Sequence, residues 1–78
     1  MKFKPGDEVW YVCPYIFLIE KVKIDFIHDD MYADETYALY YEDDLFFNLE
    51  EAKEEALNRL RLFYLKQEQA IKNTGRQI

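Results

Sequence analysis

Along the first half of the chain apolar and polar positions tend to alternate. Along the second they recur every three to four residues, and this change of period predicts a sheet followed by a helix. Lys4-Pro5-Gly6-Asp7 is turn chemistry, Pro presetting φ and Gly accepting a positive φ. Glu8 to Cys13 is β-branched and aromatic and reads as a strand closed by Pro14. Ile16 to Ile27 predicts a second, half-buried strand with Val22, Ile24 and Phe26 inward and Lys21, Lys23 and Asp25 outward. His28-Asp29-Asp30-Met31 interrupts the pattern. Thr36 to Tyr41 resumes it as a third strand, ended by Glu42-Asp43-Asp44, and Leu45-Phe46-Phe47 is expected as a short last strand.

Asn48 followed by Glu51 fits a capping box. From there Leu49, Ala52, Ala56, Leu60 and Phe63 step by three and four, and Leu57, Tyr64 and Ile71 widen the stripe. Acids crowd the first turns and cations the later ones, matching the helix dipole, and Gly75 supplies a stop. The helix is expected from 49 to about 73, roughly 37 Å at 1.5 Å per residue. A sheet of five-residue strands spans only about 17 to 20 Å. The second half of the helix must therefore find other cover. Leu60, Leu62, Phe63, Tyr64 and Leu65 are apolar nearly all round it, so a homodimer interface is expected there. The competing expectation folds the Met31–Glu35 loop or the N-terminus over this stretch.

Composition narrows the class. With 78 residues, half apolar and 18% aromatic, the chain has room for one domain and one core without disulfide or metal. That domain divides into an antiparallel sheet over residues 1–47, a helix over 48–74 and a tail over 75–78. Cys13 is the single cysteine and fits a reducing compartment. No secretory leader opens the sequence, and the longest apolar stretch, near Tyr15 to Ile19, is too short to span a bilayer, so a cytoplasmic location is expected. Net charge is −6, distributed as −10 over residues 1–58 and +4 over residues 59–78. The +4 stretch is expected to pair with the protein's own acidic half, within or between subunits.

Catalytic signatures are few. The sequence has no serine, which excludes a Ser-His-Asp triad, and two glycines cannot build a phosphate-cradling loop. Cys13 sits in an apolar strand with no basic neighbour to lower its pKa and reads as core. His28-Asp29-Asp30 lacks the ligand count for zinc and the spacing and glycine of a calcium loop, and reads as a turn. No enzyme activity, cofactor or metal is therefore expected; a small enzyme or ligand binder around His28 is the weaker alternative. The acids come as doublets at the ends of apolar segments, a surface that repels phosphate backbones and attracts basic grooves, so direct nucleic-acid binding is not expected. Asp29, Asp30, Asp34, Glu35, Glu42, Asp43, Asp44 and the strand tyrosine Tyr40 are the expected partner-binding residues.

Two segments carry a family resemblance: Phe3-Lys4-Pro5-Gly6-Asp7-Glu8-Val9-Trp10-Tyr11-Val12, and Leu45-Phe46-Phe47-Asn48-Leu49-Glu50-Glu51-Ala52. Their order resembles small SH3-like barrel accessory proteins of bacteriophages and Gram-positive bacteria, over about a third of the chain. The resemblance implies a curled antiparallel sheet with a trailing helix and carries no catalytic residue. The chain departs from that group in its long last helix and in having no glycine between Asp7 and Asn73, so incomplete closure of the sheet is expected. The expected fold is thus α+β, three to four antiparallel strands and one long C-terminal helix. The expected function is a non-enzymatic protein-binding module, a phage-type inhibitor in the bacterial host that sets an acidic, DNA-mimicking surface against a nucleic-acid or defence enzyme. The alternative is a structural or regulatory homodimer joined through the helix.

Overall fold

The structure, a computed structural model, describes residues 1–75. Six short strands and one helix follow in chain order: β1 Glu8–Val12, β2 Ile19–Lys23, β3 Phe26–His28, β4 Met31–Ala33, β5 Leu39–Tyr40, β6 Leu45–Phe46 and α1 Leu49–Asn73, with a single 3₁₀ turn at Glu42–Asp44. The strands form two three-stranded antiparallel sheets, ordered β2-β1-β6 and β3-β4-β5. This is the expected α+β arrangement of small antiparallel sheet and long C-terminal helix.

β1 is the central strand of its sheet and is covered on both faces, which is why its sequence is almost continuously apolar. Val9 and Tyr11 face the main core, formed with Phe3, Val22, Ile24, Tyr32 and Leu45 from both sheets. Trp10 and Val12 face the other way, where Ala52 and Ala56 of α1 pack with Ile19 and Phe46. Two alanines four residues apart put a flat stripe on the helix and let it lie close to the sheet.

The expected second strand, Ile16 to Ile27, is an extended run shared between the two sheets. Ile24 N–H donates to the Asp7 carbonyl at 2.9 Å, continuing the β1–β2 ladder, and Asp25 N–H donates to the Ala33 carbonyl at 2.8 Å, opening the β3–β4 ladder. Val22 and Ile24 are buried as the alternation requires. Residues 16–18 lie in a loop instead, where Phe17 takes a positive φ of 58°.

The interruption at His28 to Met31 is tighter than expected. His28 pairs with Met31, leaving Asp29 and Asp30 as a two-residue turn with φ of 47° and 63°, the left-handed pair that matches the twist of a β-hairpin. The expected strand over Thr36 to Tyr41 is correspondingly shortened to Leu39–Tyr40. Asp34 Oδ1 accepts from the N–H groups of Thr36 and Ala38 and from the Thr36 hydroxyl, folding this segment into a turn in competition with a ladder.

Helix α1 begins and ends where the pattern placed it. Asn48 Oδ1 caps the Glu50 N–H at 2.8 Å, and Gly75 follows the end with φ 88°. The molecule measures 54 × 26 × 20 Å with a radius of gyration of 16.2 Å. A compact chain of this length has about 11 to 12 Å. The excess is the helix, which runs well beyond the sheets.

Candidate functional site

The side chains expected to form an acidic face are divided between two jobs. Glu42 Oε1 accepts from the buried Tyr32 hydroxyl at 2.7 Å and from Lys2 N–H at 2.6 Å, and the same hydroxyl accepts from Phe3 N–H at 3.1 Å. The hydroxyl and the Lys2 amide hold the Glu42 carboxyl below its usual range. The N-terminal segment is thereby fastened over the core. Asp34 accepts four hydrogen bonds, the last from the Tyr40 hydroxyl at 2.8 Å. Burial pushes the Asp34 carboxyl up, but the bonds from Thr36, Tyr40 and Ala38 outweigh it and leave its pKa lowered. Burial and the Asp34 bond together raise the Tyr40 phenol. Its ring lies edge-on to Tyr11, centroids 4.7 Å apart.

Asp44 binds Arg59 Nη1 at 2.7 Å, and Arg59 Nη2 donates to the Asp43 carbonyl at 3.0 Å. With both Asp44 and Arg59 mostly withdrawn from solvent, this pair fixes α1 to the 3₁₀ turn. Among the expected acidic contacts, the side chains of Asp29, Asp30, Glu35 and Asp43 make no hydrogen bond of this kind; Asp29 approaches only His28, at 3.4 Å, on the hairpin tip. Glu35 lies with Glu20, Asp25 and Asp34 along an open groove of about 360 Å³, where Lys21 and Lys23 supply opposing charge.

His28 is exposed at the end of β3 with its Nε2 3.4 Å from the Asp29 carboxylate, two donors where a zinc site takes three or four. No group of three or more His, Cys, Asp or Glu side chains able to hold a metal occurs among the described residues. Cys13 differs from expectation. Backbone N–H groups of Tyr15 and Ile16 lower its thiol pKa without any basic side chain. The same corner raises Tyr11 to about 12, through burial first and then its bond to Cys13.

The largest unexplained feature is on α1. Only Ala52 and Ala56 of the helix are buried, Leu60 is half-buried, and every described residue from Arg61 onward is exposed. Leu62, Phe63, Tyr64, Leu65 and Ile71 stand 44% to 73% open. Neither the Met31–Glu35 loop nor the N-terminus folds over them. From outside the helix, Phe17 sets its ring against Phe63, centroids 5.7 Å apart, and within the helix Phe63 lies edge-on to Tyr64 at 6.0 Å. Sequence reasoning did not find Phe17, whose left-handed backbone turns its ring to the helix, nor the roles of Tyr32 and Arg59. Of these only Arg59, four residues after Glu55 on the helix, left a signal.

Comparison of the chain with family models, with curated proteins and with solved structures found no match. No described helix is long and apolar enough to cross a membrane.

Proposed function

We propose that the protein is a non-enzymatic protein-binding module whose working surface is the distal half of α1. The observation that supports this is the thirteen-residue stretch from Arg61 to Asn73, helical yet buried nowhere, with five large apolar side chains in water. An isolated helix of that length is marginal in water, so its apolar side chains favour an ordered state only against a partner.

A second reading, an acidic surface that occupies the basic groove of a nucleic-acid enzyme of a bacterial host, is favoured by the Asp29-Asp30 tip. There Asp29 and Asp30 are adjacent, exposed residues at the turn of a two-stranded hairpin, Asp29 with its side chain 89% exposed. It has fewer residues than the sequence offered, because Asp34, Glu42 and Asp44 are engaged within the fold.

One experiment separates the two. Amine cross-linking in cells, read by mass spectrometry, should give intermolecular links from Lys66 and Lys72. Leu60→Glu with Tyr64→Glu should abolish them, and Asp29→Lys with Asp30→Lys should leave them intact. The reverse pattern would replace the first reading with the second.

A further inference from the structure

We propose that the occupant of the distal helix is a second copy of this chain, packed antiparallel through a two-helix seam. This rests on the reading of that half of α1 as a docking surface. At about 100° per residue, Leu57, Leu60, Tyr64 and Ile71 fall within about 60° of one another, roughly 90° round the helix from the Ala52–Ala56 stripe. They occupy alternate three- and four-residue steps, with Gln67 filling the remaining position, which is the spacing of a coiled-coil seam. Apart from the half-buried Leu60, the sheet leaves this line open: Leu57 is 51% exposed, Tyr64 64% and Ile71 73%.

Direction follows from charge. Aligned antiparallel about a point between Leu65 and Lys66, Leu60 meets the partner's Ile71 and Tyr64 meets the partner's Gln67, each contact made twice by the two-fold axis. The flanking positions then bring Arg61 against the partner's Glu68, again twice, and set Phe63 beside the partner's small Ala70. Parallel alignment offers neither charge pair. It also places side by side two segments that each carry −10 over residues 1–58. In the antiparallel pair the two sheets sit about 35 Å apart along the helix axis, at 1.5 Å per helical residue. That is several screening lengths at physiological salt, so their repulsion is largely removed. Gln67 breaks an otherwise apolar seam and, opposite Tyr64, provides the polar layer that selects one register.

Sedimentation equilibrium of the full chain should give twice the 9.5 kDa chain mass. Arg61→Glu should weaken the dimer about tenfold by turning two attractions into repulsions, and adding Glu68→Arg to the same chain should restore affinity to within about twofold. Gln69→Glu, on the side of the helix away from the seam, should leave the mass unchanged and serves as the control for folding. A dimer that the double charge swap fails to rescue overturns the antiparallel register. A monomer at every concentration overturns the second copy as occupant: if Leu60→Glu with Tyr64→Glu still abolishes cross-links to another protein, the docking reading stands without this inference, and if no such links exist, both fall.

Discussion

Tyr32 is the largest side chain wholly removed from solvent, and its hydroxyl is the joint between three parts of the chain. It accepts from Phe3 N–H and donates to Glu42, while its ring meets Phe3 edge-on with centroids 5.3 Å apart. Tyr32→Phe keeps the ring and removes the acceptor for a buried amide. The expected loss is about 1 to 3 kcal/mol of stability, the cost of leaving such a donor unsatisfied. Urea unfolding monitored by circular dichroism checks it, and an unchanged midpoint would contradict the role given to the hydroxyl. Nothing in the sequence singled out Tyr32 from the other tyrosines, since its partners lie 29 and 10 residues away. Asp29 and Asp30 were legible as an interruption but not as a two-residue turn, because neither is the glycine or asparagine that usually marks left-handed backbone. The acids Asp34, Glu42 and Asp44 were read as surface because a doublet shows charge and not the donor that meets it.

At the scale of elements, the pattern was most legible where one local rule acts alone. α1 runs over the expected residues because periodicity, cap and terminal glycine agree. β1 and β6 were legible as apolar runs bounded by turn residues. The middle of the chain was harder. Alternation through Val22, Ile24 and Phe26 is continuous, but hydrogen bonding changes partner between Ile24 and Asp25, and side-chain period carries no record of which strand a backbone pairs with. β4 was missed because Met31-Tyr32-Ala33 is too short for its alternation to show. The three to four strands expected from the sequence are therefore six short strands in two ladders. The apolar surplus of the distal helix was legible for a simple reason: too many large side chains for the length of sheet beneath them.

For the whole molecule, electrostatics sets the pH range of the fold. Asp34 and Glu42 have carboxyl pKa values lowered in the folded chain, so they stabilise it above their ordinary values of 3.8 and 4.5, and that contribution is lost as pH falls through their folded values. Tyr11, Tyr32 and Tyr40 behave oppositely. Their phenols are raised from 10.0, chiefly by burial, so their neutral forms favour the fold fully below pH 10.0 and progressively less above it. The thermal midpoint should accordingly fall below about pH 4 and again above about pH 10; constancy through either limb would mean that these groups titrate alike in both states. Between those limits the molecule is a small, firmly joined sheet domain carrying a helix that outruns it. On the proposal above, a second copy orders the outrunning half. Amide hydrogen exchange along α1, measured over a series of protein concentrations, addresses it directly. Slow exchange is expected from Arg61 to Asn73, with protection that rises with concentration while β1 stays constant. Exchange at the rate of an unstructured chain throughout that segment, at every concentration and with β1 still protected, would contradict it.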